Sequence, residues 1–280
     1  VMDWALFMLG RSDEAVHSQG ALEIFQRLGN LQDEAGLSTN LGAFAYFDGD
    51  WAKAIEYYEI GREASERAGN TVDAAVAAAN LGEVLVNQGR WGDALEPLSD
   101  ARRIYSSSDF GEGVAWADQL LGRLYGVEGD IERSVTVLEA SVDLWRSLGM
   151  DASGFEAAIP LADARCRAGD PDAGLATLDE AESWVPDDYR AYYEVPLART
   201  RGSILEAADR RDEAAVALAA GLDSDELGGD VYESALLTLT MDKIAPDRLQ
   251  SGSADAARET LRTLGVGSVP GIERSSAASA

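Results

Sequence analysis

A short motif returns along this chain at a fixed spacing, and that periodicity limits what the chain can fold into more than any other feature. The clearest copy is Gly49-Asp50-Trp51-Ala52-Lys53-Ala54. In the same register stand Gly10-Arg11-Ser12-Asp13-Glu14-Ala15, Gly89-Arg90-Trp91-Gly92-Asp93-Ala94, Gly129-Asp130-Ile131-Glu132-Arg133-Ser134, Gly169-Asp170-Pro171-Asp172-Ala173-Gly174 and Asp209-Arg210-Arg211-Asp212-Glu213-Ala214. From Gly49 onward the step is 40 residues each time, and a degenerate last copy sits near Gly252. A second marker keeps the same phase: Leu41-Gly42, Leu81-Gly82 and Leu121-Gly122, then the weaker Leu161-Ala162 and Arg201-Gly202.

Between markers the apolar spacing is helical. Trp51, Ala54, Ile55 and Tyr58 fall at i, i+3, i+4 and i+7, as do Ile131, Ser134, Val135 and Leu138. Each repeat is therefore read as two helices, with the Gly-Asp or Gly-Arg pair as the tight turn between them, since glycine tolerates the backbone angles that end a helix. A second break closes each unit, as at Leu28-Gly29-Asn30, Ala68-Gly69-Asn70 and Leu148-Gly149-Met150.

These residues resemble the tetratricopeptide repeat family over nearly the whole chain. That family's pattern places a Leu-Gly pair in the first helix, a turn glycine, then a small, a large apolar and a second small residue in the second helix. One repeat matches with Leu41, Gly42, Gly49, Ala54, Tyr58 and Gly61, and the next with Leu81, Gly82, Gly89, Ala94, Leu98 and Ala101. The later ones match in part, through Leu121, Gly122 and Gly129, through Gly169, and through Gly202, Ala214, Leu218 and Gly221. The 40-residue period exceeds the usual ~34 and is similar to the longer-helix variants of kinesin light chain and of large bacterial regulators. The resemblance implies an all-α, right-handed superhelical solenoid of about seven helical hairpins over residues 1–266, with the first hairpin truncated and a flexible tail at 267–280. Val1–Leu9 reads as the second half of an apolar helix, which points to a piece of a longer chain. Pro160 and Pro196 fall well inside expected first helices, and Pro97 inside a second, where each removes a backbone donor.

Composition narrows the function. A net charge of −27, with basic residues only single or paired as at Arg102-Arg103 and Arg210-Arg211, excludes the clustered cations that a nucleic-acid backbone requires. It suits a basic partner or plain solubility. No run approaches the ~18 apolar residues of a membrane span, and one cysteine, Cys166, forms no intrachain disulfide, which together read as a cytoplasmic protein. The chain holds one histidine, His17, so a Ser-His-Asp relay has no second candidate. Cys166 is expected to pack rather than react. Acidic pairs such as Asp33-Glu34 and Asp187-Asp188 stand where helices open and are read as caps. There is no phosphate loop with its Gly-Lys pair. The reading is a non-enzymatic chain without cofactor or metal.

Function then falls to the groove. In the family the first helices line the concave face, and the position two before the Leu-Gly glycine points into it. Here that position holds Asn40 and Asn80, followed by Leu120, Pro160 and Thr200. The resemblance implies that such asparagines hold the backbone of an extended peptide, an amide being both donor and acceptor; capping or bridging neighbouring helices is the structural alternative. Glu83, Asn87, Gln119 and Arg123 are candidates on the same face, as is Trp116, which is either an aromatic anchor or core. Trp51 and Trp91 recur at the start of second helices and are read as packing. Three functions follow in order: a scaffold for a protein or peptide partner; a C-terminal regulatory array acting on another domain of the same chain, as in bacterial ATPase, cyclase or transcription-factor fusions; and self-association of two copies through the end repeats, with Val1–Leu9 as the surface.

Overall fold

The computed structural model describes residues 17–225 and 230–269. The Gly10 turn, the Val1–Leu9 helix and most of the tail lie outside them. The described residues contain helices and turns and no strand, and within each unit long helices adjacent in sequence pack on one another. All-α hairpin repeats are thus what the chain forms.

The contacts separate into two compact units, residues 1–117 and 118–280. The first holds α1 (Ser18–Leu28), α2 (Leu31–Phe47), α3 (Trp51–Ala68), α4 (Thr71–Asn87) and α5 (Trp91–Ser107). Helix α6 (Gly111–Glu128) begins in the first unit and ends in the second. The second unit continues with α7 (Ile131–Ser147), α8 (Asp151–Arg167), α9 (Pro171–Glu182), the short α10 (Asp187–Ala191), α11 (Glu194–Ala207), α12 (Arg211–Asp225), α13 (Val231–Ile244) and α14 (Ser253–Thr263).

The repeated Gly-Asp pair works as a two-part joint. Gly49 takes φ 77°, closing α2 with its N–H on the Tyr46 carbonyl, and Asp50 accepts the Lys53 amide at 3.1 Å, which caps α3. Gly129-Asp130 and Gly169-Asp170 repeat both halves, the aspartates accepting the Arg133 and Ala173 amides at 3.3 and 2.9 Å. At the other end of the hairpins, Gly29 and Gly69 are left-handed, while Asn30 and Asn70 cap α2 and α4. Asp33 is part of that cap rather than a ligand: its side chain accepts from the Asn30 amide at 2.6 Å. At the joints before α6 and α12, Asp109 and Asp209 carry the positive φ in place of glycine.

What holds a hairpin together is close approach at the marker glycines. A Cβ built on Gly42 would lie 2.5 Å from the Tyr58 ring, and one on Gly82, Gly122 or Gly202 would lie 2.5 Å from Leu98, Leu138 or Leu218 respectively. Those large side chains are all buried, so the second helix seats one bulky residue directly on the bare backbone of the first. The small residues of the pattern serve the same end: Ala54, Ala94 and Ala214 are fully buried, and Ser134 sends its hydroxyl to the Gly122 carbonyl at 2.7 Å. In the weaker Leu161-Ala162 repeat the bare position moves across the seam, where a Cβ on Gly174 would meet the Ala162 carbonyl oxygen at 2.7 Å.

The second unit departs from strict periodicity once. Helix α9 stops at 12 residues, and the segment that follows folds as α10 instead of continuing it. Trp184 lies under the Arg146 guanidinium at 4.1 Å; Tyr189 donates to Glu156 at 2.7 Å and stacks on Tyr193, which meets Phe155 edge-on. Burial and that hydrogen bond push the Tyr189 phenol up to about 12. One consequence corrects the sequence reading of Pro196: α11 begins only at Glu194, so this proline falls in the first turn, where no intrahelical N–H bond is lost. Pro97 and Pro160 do lie inside α5 and α8.

The seam geometry predicts opposite outcomes for two glycines of the first unit. A Cβ added at Gly92 would meet nothing within 4 Å, whereas one at Gly82 would run into Leu98. Alanine is the better helix former at both, by up to about 1 kcal/mol in a helix interior and less in the first turn where Gly92 stands. Gly92→Ala should therefore raise the urea midpoint, and Gly82→Ala should fall below it by the overpacking cost of about 1–3 kcal/mol. Equal midpoints would remove the seam argument. A second case is Tyr105, fully buried with its hydroxyl unpartnered among the described residues. Tyr105→Phe should stabilise the first unit by about 1 kcal/mol, measured the same way, because it deletes a desolvated polar group.

Candidate functional site

The first helices of neighbouring hairpins touch directly, α2 with α4, so equivalent positions on them form one continuous surface in the first unit. On α2, Thr39 faces α3, since it lies 2.7 Å from a Cβ placed on Gly61. With 3.6 residues per turn, Asn40 points about 100° round the helix from Thr39, and Gly36, Ala43 and Phe47, at i−4, i+3 and i+7 from it, lie along its stripe. The matching stripe on α4 is Val76, Asn80, Glu83 and Asn87.

The asparagines of these stripes differ in commitment. Asn40 is half-buried and makes no hydrogen bond among the described residues. Asn80 is half-buried and donates to the Val76 carbonyl at 2.9 Å, one turn back, which leaves its carbonyl oxygen as an acceptor. Asn87 is another matter. It is only 3% exposed, and its amide donates at 3.0 Å to the Tyr46 hydroxyl of the preceding hairpin. Tyr46 in turn stacks on Trp51 at 5.5 Å, and the Trp51 indole N–H donates to the Tyr46 carbonyl at 3.2 Å. Asn87 thus belongs to a polar tie between hairpins, which is also where Trp51 packs. Glu83 lies close enough to Tyr58 for its charge, after burial, to help raise that phenol above its ordinary range.

Trp116 is half-buried and packs against the cluster of Ala75, Ala79, Ala101, Tyr105 and Ala117, so most of its ring serves the core. The helical register also brings in residues that the asparagine pattern does not single out. Phe47, 61% exposed, is the large apolar side chain at the end of the α2 stripe, and the signal for it is its spacing of seven from Asn40.

In the second unit, Gln119 is half-buried and makes no hydrogen bond among the described residues. Arg123 is half-buried near α13: burial pushes the Tyr232 phenol up to about 12, and the Arg123 and Arg199 charges pull against it. Arg199 forms a forked pair with Glu233 at 2.8 and 3.2 Å. Cys166 is half-buried, and burial together with Asp163 holds its thiol above the usual range, which disfavours the reactive thiolate. His17 is exposed at the start of α1. Among the described residues no group of His, Cys, Asp and Glu is arranged to hold a metal ion, and no helix is long and apolar enough to cross a membrane.

Comparison with known proteins agrees with this geometry. The tetratricopeptide repeat profile matches residues 33–107, which are α2 to α5 with their joints. No curated protein matches by sequence. Among solved structures, the chain is similar to a Rap protein complexed with competence and sporulation factor, at 15% identity and a TM-score of 0.71 over 84% of this chain and 65% of that one. It is also similar to the Rap conjugation gene regulator of the plasmid pLS20 in complex with the Phr* peptide, at 15% identity and a TM-score of 0.69 with the same coverage. The chain therefore spans 65% of the length of each structure. Residues 33–107 are tetratricopeptide repeats, and the chain has the helical-repeat fold of the two Rap structures.

Proposed function

We propose that this chain is a protein-interaction scaffold and that the first-helix surface of its first unit holds an extended segment of a partner polypeptide. The observation that carries the reading is the pair Asn40 and Asn80: equivalent positions on two touching helices, both half-buried, one amide wholly uncommitted and the other with a spare acceptor. Spaced acceptors and donors of this kind suit a peptide backbone, which offers both at every residue. Glu83 extends the polar stripe, Phe47 adds an apolar contact, and Gln119 and Arg123 are the further candidate contacts in the second unit. Asn87 and Trp116 contribute to the frame that holds the surface. The likeness to two helical-repeat structures described as complexes, one with a factor and one with a peptide, supports the same class of ligand.

A second reading, a regulatory array acting on another part of a longer chain, draws support from the description of one neighbour as a gene regulator. It uses the same surface, and the two differ only in whether the bound segment comes from the same polypeptide.

The test is capture from cell extract by the wild-type chain beside the Asn40→Ala/Asn80→Ala variant, read by mass spectrometry, with far-ultraviolet circular dichroism as the folding control. Losing two amide contacts of about 1 kcal/mol each should weaken binding by roughly tenfold or more and clear the partner from the bound fraction while helicity is unchanged. A partner retained equally by the variant would sink the assignment to this surface.

A further inference from the structure

The first unit has a second concave feature, on the side opposite in role to the asparagine surface. Second helices α3 and α5 stand apart over α4 and leave a trench of about 390 Å³ between them, within the size range of small-ligand and peptide side-chain pockets. Its floor is the face of α4 that carries Ala75, Ala78 and Leu85, all buried. Ile55 on one wall and Ile104 on the other are half-buried, so the lower part is apolar.

The rim is a set of acceptors. Its two cations are already engaged, Arg62 with Glu66 at 3.1 Å and Arg90 with Asp93 at 2.8 Å. Glu59 on α3 and Glu96 on α5 both line the trench, both are exposed, and neither has an ion-pair or hydrogen-bond partner among the described residues. Pro97 lies in the same wall and has no N–H to give, so the Asp93 carbonyl one turn earlier lacks its usual intrahelical donor. Two unpaired carboxylates and a backbone acceptor above an apolar floor fit an occupant that is cationic at its edges and apolar at its centre.

We infer that this trench is a second docking site, for a short segment of another protein in which Leu- or Ile-like side chains are flanked by Lys or Arg. The apolar side chains settle on Ala75, Ala78 and the two isoleucines. The flanking cations meet Glu59 and Glu96, with the Asp93 carbonyl as a further acceptor. An anionic or purely apolar segment finds no complement at the rim. Neither Asn40 nor Asn80 lines the trench, although Asn80 lies on α4, whose other side chains form the floor.

The probe is a random dodecapeptide phage library panned on the wild-type chain, with recovered peptides then measured by fluorescence polarisation. Enriched peptides should carry Lys or Arg beside apolar residues and should shift the methyl resonances of Ile55 and Ile104. They should bind the Glu59→Lys/Glu96→Lys variant at least about tenfold more weakly, lose affinity as salt is added, and bind Asn40→Ala/Asn80→Ala as well as wild type. Glu59→Gln/Glu96→Gln, which keeps shape and removes charge, should give a smaller loss in the same direction and stands in if the reversal fails to fold. Failure to enrich, enrichment without basic residues, or equal binding by the charge variants overturns the inference. Binding lost only in the asparagine variant overturns it too, and leaves the first-helix surface as the docking face.

Discussion

Everything else in this structure depends on one contact, a large buried side chain of the second helix resting on a bare glycine of the first. Four times, at Gly42 on Tyr58, Gly82 on Leu98, Gly122 on Leu138 and Gly202 on Leu218, the backbone comes so near that a β-carbon would overlap the opposing side chain. Two helices packed that closely exclude solvent over their length without needing many large residues, which explains a core built so heavily from alanine. The same contact sets the register of each hairpin. A one-residue slide along either helix would turn the glycine away and put a side chain into the seam, at an overpacking cost of about 1–3 kcal/mol.

Because hairpin geometry follows from so few positions, the fold was legible in the sequence wherever those positions kept their identity. The Gly-Asp joints at residues 49, 129 and 169 could be read directly, since glycine supplies the left-handed residue and aspartate the cap. Even Asp209 in place of glycine did not hide its joint, as aspartate is among the few residues that tolerate positive φ. What could not be read was the early stop of α9. Nothing in the periodicity announces that Tyr189 finds Glu156, 33 residues away, or that Trp184 finds Arg146, and these tertiary contacts draw the segment off the repeat and displace the start of α11 past the expected position, to Glu194. Local propensity yields where tertiary contacts compete.

The candidate site was legible to the level of a helix face and no further. Helical register places Asn80, Glu83 and Asn87 along one stripe of α4, and Phe47 along the stripe of Asn40 on α2. Register says nothing about what lies opposite. Asn80 and Asn87 are identical in the sequence and two turns apart, yet one keeps an acceptor and the other is buried, because Tyr46 of the previous hairpin reaches only the second. The distinction needs a partner 41 residues distant, which periodicity cannot supply. Trp116 shows the same limit, since register leaves it either anchor or core, and the half-buried ring packs against the alanine cluster.

The charge distribution carries this one step further. A net charge of −27 on a repeat protein looks at first like uniform solubilising charge, in which no single carboxylate matters. The structure divides those carboxylates into kinds. Asp50, Asp130 and Asp170 are consumed by helix amides. Glu233 is consumed by Arg199, and Asp93 by Arg90. Glu59 and Glu96 belong to neither group: they stand over an apolar trench with the nearby arginines already occupied. Surface acidity alone would attract any cation weakly and without preference, and salt would screen it. Two uncommitted carboxylates held across a floor of alanines would favour a cation that brings an apolar side chain with it, which adds selectivity to a general charge.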